Sequence, residues 1–235
     1  MNFHVLHNAF KAGFMIEAGP FSKPESNCLR IPVIVAAAGQ SRRYGRPKLL
    51  EPMPGVQKTL IRHVVEQLAA GGLTKVVVVL GPQSEEPYGF IGSESSAGGG
   101  FALHLDPGPA EMRDSIASGI RHLERMISEG LQPEPTHVLF TPADIPGMSS
   151  AYVLELTRRC QVRSESLIRG VTPLGRGMHP VALAWSQRHT IDGIPSNKGL
   201  NELWKGFGLS SHEWLWNDAQ GHLDLDNPQD WKHFV

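Results

Sequence analysis

Residues 31–48 read IPVIVAAAGQSRRYGRPK. The unbroken apolar run Ile31–Ala37 predicts a strand buried on both faces, as in the middle of a parallel sheet. Directly behind it, Ala38–Lys48 packs two glycines, a serine, three arginines and a lysine into one loop. Ligands of parallel α/β sheets bind outside the carboxyl ends of the strands. Backbone N–H groups beside cations are what a polyphosphate needs.

Working outward, the apolar spacing of Leu60, Ile61, Val64, Val65, Leu68 and Ala69 predicts a helix over Thr59–Ala70, with Thr59 as N-cap and Gly71-Gly72 as its stop. Lys75–Leu80 is a second buried strand, and residues 81–100 form a long loop rich in Gly, Ser and Pro, in which Gly98–Gly100 have no assigned role. Phe101–Leu105 is a short strand. Arg113–Ile127 is a helix striped by Ile116, Ile120, Leu123 and Ile127 and closed by Gly130. His137–Thr141 is a third buried strand that runs into Pro142-Ala143-Asp144-Ile145-Pro146. Ser149 or Ser150 caps a helix to about Cys160. Ser166–Thr172 and Val181–Trp185 are strands around a turn at Gly175–Pro180, a short helix lies near Lys198–Lys205, and Leu223–Trp231 is acidic and then helical. Strands alternating with helices predict an α/β fold with a largely parallel sheet.

The chain has 235 residues and no composition break or internal repeat, so one domain is expected over 31–235, preceded by an extension, 1–30, of unassigned role. In that extension His4, Lys11, Glu17 and Lys23 interrupt the apolar residues, which argues against a secretory signal. Phe10, Phe14 and Met15 either pack on the body or stay mobile, and His4 and His7 have no third metal ligand nearby. A net charge of -1 excludes a nucleic-acid binder acting through a strongly basic face. No apolar run approaches the roughly 20 residues needed to span a bilayer. The two cysteines, Cys28 and Cys160, form no CxxC, so neither a disulfide scaffold nor a cysteine zinc site is expected, and a cytoplasmic setting fits.

Other glycine motifs fail in register. Arg46-Pro47 stands before Lys48 where a P-loop requires GKS or GKT. Pro180 takes the third glycine position of a dinucleotide fingerprint begun at Gly175. Arg43 takes the last glycine position of a hydrolase elbow around Ser41.

The loop resembles the signature of the nucleotidyltransferases that attach CMP or GMP to molybdopterin, small-small-Gly-x-Ser-x-Arg-x-Gly-x-x-Lys, met by Ala37, Ala38, Gly39, Ser41, Arg43, Gly45 and Lys48. Met112-Arg113-Asp114-Ser115-Ile116 with Gly119, the strand ending in Asp144, the turn Gly175–Pro180 and Leu223–Asp230 resemble later family segments in the same order. Three departures stand out: Glu111 and Met178 replace usual glycines, and Asn197–Asn201 replaces an Asp-x-Gly-Ala-Arg segment.

The resemblance implies a Rossmann-like, three-layer α/β fold with a mixed, mostly parallel sheet and an Mg²⁺-dependent transfer of NMP from NTP to a phosphorylated acceptor, with molybdopterin favoured as acceptor and CMP favoured over GMP. A molybdoenzyme or its chaperone is the implied recipient; a sugar phosphate acceptor and a non-catalytic cofactor-delivery protein are the rival readings. Charge builds on phosphate oxygens during such a transfer. Lys48 and Arg43 are the expected catalytic cations. Ala37, Ala38, Gly39, Ser41 and Gly45 are expected to bind the nucleotide. Gly81 either lets a base approach or is a turn, and Ser115 either contacts the base or is an early helical residue. Asp144 is the expected metal ligand; Asp226 is the second, with Asp224 as the alternative, because alternation puts both on one face of an extended segment. His179 faces the acceptor or is structural. Trp204, Trp214, Trp216 and Trp231 are expected in core or interface positions.

Overall fold

The computed structural model describes residues 16–17, 31–55, 57–81, 100–105, 111–217, 221 and 223–234. Phe10, Phe14, Met15, the His4–His7 pair, Cys28 and the loop beyond Gly81, with Gly98, lie outside the described residues. Along the chain run β1 (Ile16–Glu17), β2 (Val33–Ala37), α1 (Leu60–Ala70), β3 (Lys75–Leu80), β4 (Gly100–Leu105), α2 (Met112–Ser128), β5 (His137–Pro142), α3 (Ser150–Val162), β6 (Leu167–Val171), β7 (Val181–Ala184) and β8 (Ser211–Leu215).

The apolar runs become the middle of the sheet because both of their faces must leave water. Val33 and Val35 of β2 pack on one side with Leu60, Val64 and Leu68 of α1 and with Tyr152 and Leu156 of α3. Ile34 packs on the other side with Ile116, Ile120 and Leu123 of α2. β3 divides in the same way, Val76, Val78 and Leu80 to the first core and Val77 and Val79 to the second. Helices therefore cover both faces of one sheet, giving the three layers of a single α/β domain.

The strand order is β1-β4-β3-β2-β5-β7-β6-β8. β4, β3, β2 and β5 are mutually parallel, and only β1 and β7 run against the rest among the described strands. From β2 the chain steps outward through β3 to β4, then returns to place β5 on the opposite flank of β2. That reversal opens a crevice at the carboxyl ends of β2 and β5, where α/β sheets place their ligands.

Some elements differ from expectation. β8 was not anticipated: SHEWL buries only Trp214, so this edge strand shows little of the apolar alternation that marks a strand. β1 arises inside the region assigned to the extension and pairs antiparallel with β4. The helix expected near Lys198–Lys205 is a 3-10 helix, Leu200–Trp204. Thr59 and Ser149 occupy N-cap positions without side-chain capping bonds; instead Gln67 Oε1 of α1 accepts the Ser150 N–H at 2.9 Å, so a neighbouring helix serves the start of α3. Cys160 is buried against α1 and burial pushes its thiol up to about 12, the state of an inert core residue. No helix among the described residues is long and apolar enough to cross a membrane.

Candidate active site

The loop after β2 folds by local rules. Ser41 takes a left-handed backbone (φ 49°), and its carbonyl accepts the N–H groups of Tyr44 and Gly45, both at 3.0 Å. Gly45, at φ 80°, turns the chain back at no steric cost. Ser41 Oγ accepts the Lys48 N–H at 3.3 Å, and buried Leu49 anchors the 3-10 helix Lys48–Leu50 in the core. The cations then divide. Arg46 is tied to Glu51 by two bonds, at 2.6 and 2.7 Å, and is not among the residues that line the crevice. Arg42 and Arg43 line a cleft of about 320 Å³ with Ala38, Gly39, Gln40, Ser41, Tyr44, Lys48, Glu111 and Asp226.

Lys48 is the pivot of the site. Its side chain is 13% exposed, and its ammonium forms an ion pair with Asp144 and donates to the Leu225 carbonyl at 2.9 Å. Asp144 is carried there by β5: Ala143 N–H bonds to the Ala36 carbonyl at 3.1 Å, locking the two strand ends together. The Leu225 N–H in turn bonds to the Asp144 carbonyl at 2.9 Å. Leu225 is buried, while Asp224 and Asp226 on either side reach solvent. The alternation expected of 224 and 226 thus holds, although the segment forms no strand.

Asp226 pairs with Arg43 at 3.5 Å, but both side chains are largely exposed, so the pair contributes little on its own. Although Asp224 reaches solvent, packed protein takes the place of much of its surrounding water and pushes it up to about 6; the carboxylates of Asp144 and Asp226 add to the rise and Lys48 opposes it. This charge crowding is the kind a cation relieves, and an all-oxygen donor set suits a hard divalent ion. No trio of His, Cys, Asp or Glu among the described residues is close enough to hold an ion unaided. A metal here would draw its remaining ligands from phosphate and water, as Mg²⁺ commonly does.

The other expected residues are placed less openly. Ala37 is buried at the end of β2. Ser115 is 1% exposed in the first turn of α2. Gly81 ends β3 against the loop: a Cβ there would stand 2.9 Å from the Ala38 carbonyl oxygen. Gly81→Ala must therefore push the loop, and a several-fold loss of nucleotide affinity with the fold retained is expected. Calorimetry and thermal melts of the variant check this.

His179 lies in a second cleft, of about 360 Å³, with Phe140, Arg169, Arg176, Asn201 and Trp204 among its walls. Val181 pairs antiparallel with Phe140, so the residues just before β7 lie toward the carboxyl end of β5. Both clefts consequently open on one rim of the sheet. Arg169 is held by Glu213 at 2.7 Å, and its guanidinium lies 3.9 Å from the centre of the Trp204 ring. Tyr152 Oη donates to the Pro180 carbonyl at 3.0 Å and accepts the Gly170 N–H at 2.9 Å, which fixes the floor of this region. Of the tryptophans, Trp214 and Trp216 pack on Tyr152, whereas Trp204 faces the second cleft and Trp231 reaches the loop. Sequence reading did not assign Arg169, Trp204, the Leu225 carbonyl or Tyr44 to the site. Only Tyr44, lying inside the signature loop, carried a signal that would have found it.

Comparison with known proteins supports the fold. The bifunctional protein GlmU of Parvibaculum lavamentivorans is 26% identical over 149 residues, covering 62% of this chain and 30% of that protein, so the chain spans under a third of the length of this curated relative. The Methanothermobacter nucleotidyl transferase Mth528 superposes with a TM-score of 0.68 at 17% identity, covering 87% of this chain and 95% of that one. Rv0371c of Mycobacterium tuberculosis, solved in complex with manganese, superposes with a TM-score of 0.64 at 18% identity, covering 87% and 97%. These structural likenesses establish the fold. Residues 33–213, most of the chain and everything from β2 into β8, match the MobA-like NTP transferase domain, and the chain belongs to that family.

Proposed function

We propose that this protein transfers a nucleoside monophosphate, CMP in preference to GMP, from an NTP to the phosphate of a molybdopterin-type acceptor, releasing pyrophosphate. The observation that carries the reading is Lys48, held between Asp144 and the Leu225 carbonyl at the mouth of a cleft lined by Arg42 and Arg43.

An acceptor phosphate oxygen attacks the α-phosphorus; that P–O bond forms as the bond to the β-phosphate bridging oxygen breaks, and pyrophosphate carries away the electron pair. The acceptor phosphate is already ionised, so no general base is needed. The protein's part is to position the groups and stabilise charge. Lys48 and Arg43 stabilise the phosphate oxygens, and the loop Ala38–Gly45 holds the polyphosphate beside the base site. Asp144 and Asp226, with Asp224 nearby, would hold a divalent ion, Mg²⁺ being favoured. When bound, that ion neutralises phosphate charge. The manganese bound in the solved Rv0371c complex supports metal use on this fold. His179 would face the acceptor in the second cleft, a reading supported by that cleft's arginines, Arg169 and Arg176, which suit a phosphorylated ligand. The finished dinucleotide cofactor then passes to a molybdoenzyme or its chaperone.

Pyrophosphate release measured with CTP and Mg²⁺ across molybdopterin, sugar phosphates and polyol phosphates tests the acceptor. Turnover with molybdopterin alone is expected. Turnover with a sugar phosphate instead overturns the acceptor assignment, and NTP binding without release on any acceptor favours a delivery protein.

A further inference from the structure

We infer that Tyr44 and Trp231 form a positioning pair that sets the phosphate loop against the acidic C-terminal segment. The inference rests on the nucleotide reading above and names what holds that site in shape.

The ring of Tyr44 is 5% exposed and packs in the core beneath the loop, between Arg43, which lines the cleft, and the left-handed Gly45. Its hydroxyl accepts a hydrogen bond from Trp231 Nε1 at 2.9 Å, across 187 positions of sequence. Trp231 belongs to the 3-10 helix Pro228–His233, which opens with a capping box between Asn227 and Asp230. In that box the Asp230 carboxylate accepts the Asp226 N–H at 2.9 Å and the Asn227 N–H at 2.7 Å. The residue next to Trp231 therefore holds the backbone of Asp226.

Asp226 hangs between two anchors. On one side is buried Leu225, bonded to Asp144 and Lys48; on the other is Trp231, bonded to Tyr44. The direct Arg43–Asp226 pair cannot fix this spacing, because both side chains are largely exposed and their separation is 3.5 Å. Tyr44–Trp231 is less exposed than that pair and, beside the Lys48 bond to the Leu225 carbonyl, is a second tie between the loop that carries Arg43 and the segment that carries Asp226. A metal-bound polyphosphate presents an anion and a cation at a set spacing. A site that holds its own cation and carboxylate at the matching spacing avoids ordering them on binding. Tyr44, although it also lines the cleft, and Trp231 thus act as positioning residues, through the segments that carry Arg43 and Asp226.

Tyr44→Phe removes the acceptor and keeps the ring; Trp231→Phe removes the donor and keeps an aromatic. Calorimetric titration with CTP and Mn²⁺ is expected to show each variant binding about fivefold more weakly, the scale of one lost hydrogen bond. The double variant should be no weaker than either single. With saturating acceptor, the nucleotide KM should rise by the same factor while kcat changes by less than twofold. Hydrogen exchange without ligand reads the coupling independently: Tyr44→Phe should speed exchange in 223–234, and Trp231→Phe should speed it in 38–48. If Trp231→Phe fails to fold, Tyr44→Phe alone decides both measurements. Wild-type binding and exchange in Tyr44→Phe, or single effects that multiply in the double variant, overturn the inference. Wild-type protein that binds no nucleotide while the exchange coupling is present would sink the nucleotide reading and leave the pairing standing.

Discussion

Lys48→Ala is expected to lower kcat/KM for NMP transfer by about 10²-fold or more, on the order of 3 kcal/mol, the scale seen when one preorganised charge-stabilising donor is removed. The side chain is almost enclosed, so its ammonium acts where water screens weakly. Its loss leaves the Asp144 carboxylate and the Leu225 carbonyl without their shared donor. The fold should survive, because the Lys48 N–H to Ser41 Oγ bond and the Leu49 anchor do not depend on the side chain. Lys48→Arg keeps the charge, but a planar fork replaces a compact ammonium that satisfies a carboxylate and a carbonyl together. Partial recovery is expected. Pyrophosphate release checks both variants, and undiminished turnover in Lys48→Ala would refute the assigned role.

Asp144→Asn should be at least as damaging, with a loss of about 10²-fold or more in kcat/KM on the same electrostatic scale. The amide keeps the shape, and the backbone bond from Leu225 to the residue 144 carbonyl is untouched, so the C-terminal segment stays docked. What disappears is the least exposed of the three carboxylates, and with it the charge that both Lys48 and a divalent ion use. Asp226→Asn should cost clearly less, because that side chain is half exposed and water can take its place. Divalent-ion titrations of nucleotide binding measure the order directly; equal losses at 144 and 226 would contradict it.

The central sheet was legible because burial on both faces leaves an unbroken apolar run, and β3 falls on the expected Lys75–Leu80 without adjustment. The loop that lines the cleft was legible because glycine, serine and cations gather directly behind such a run. What could not be read were contacts between distant segments. Nothing local to Arg46 says that Glu51 claims it while Arg43 faces the cleft. Nothing local to Leu225 says that its carbonyl accepts from Lys48. Thr59 and Ser149 looked like capping residues by type, yet the Ser150 amide is served by Gln67 of another helix. β8 was hidden because one buried residue in five, at a sheet edge, carries no period.

The most direct measurement is the thermal unfolding of the protein with CTP, GTP, ATP and UTP, each with and without Mg²⁺. A nucleotide at 100 times its Kd should add about 2.7 kcal/mol of stability. A clear rise in Tm with CTP is expected, one that depends on the divalent ion and is lost in Lys48→Ala. No shift with any of the four nucleotides, with or without metal, would contradict it.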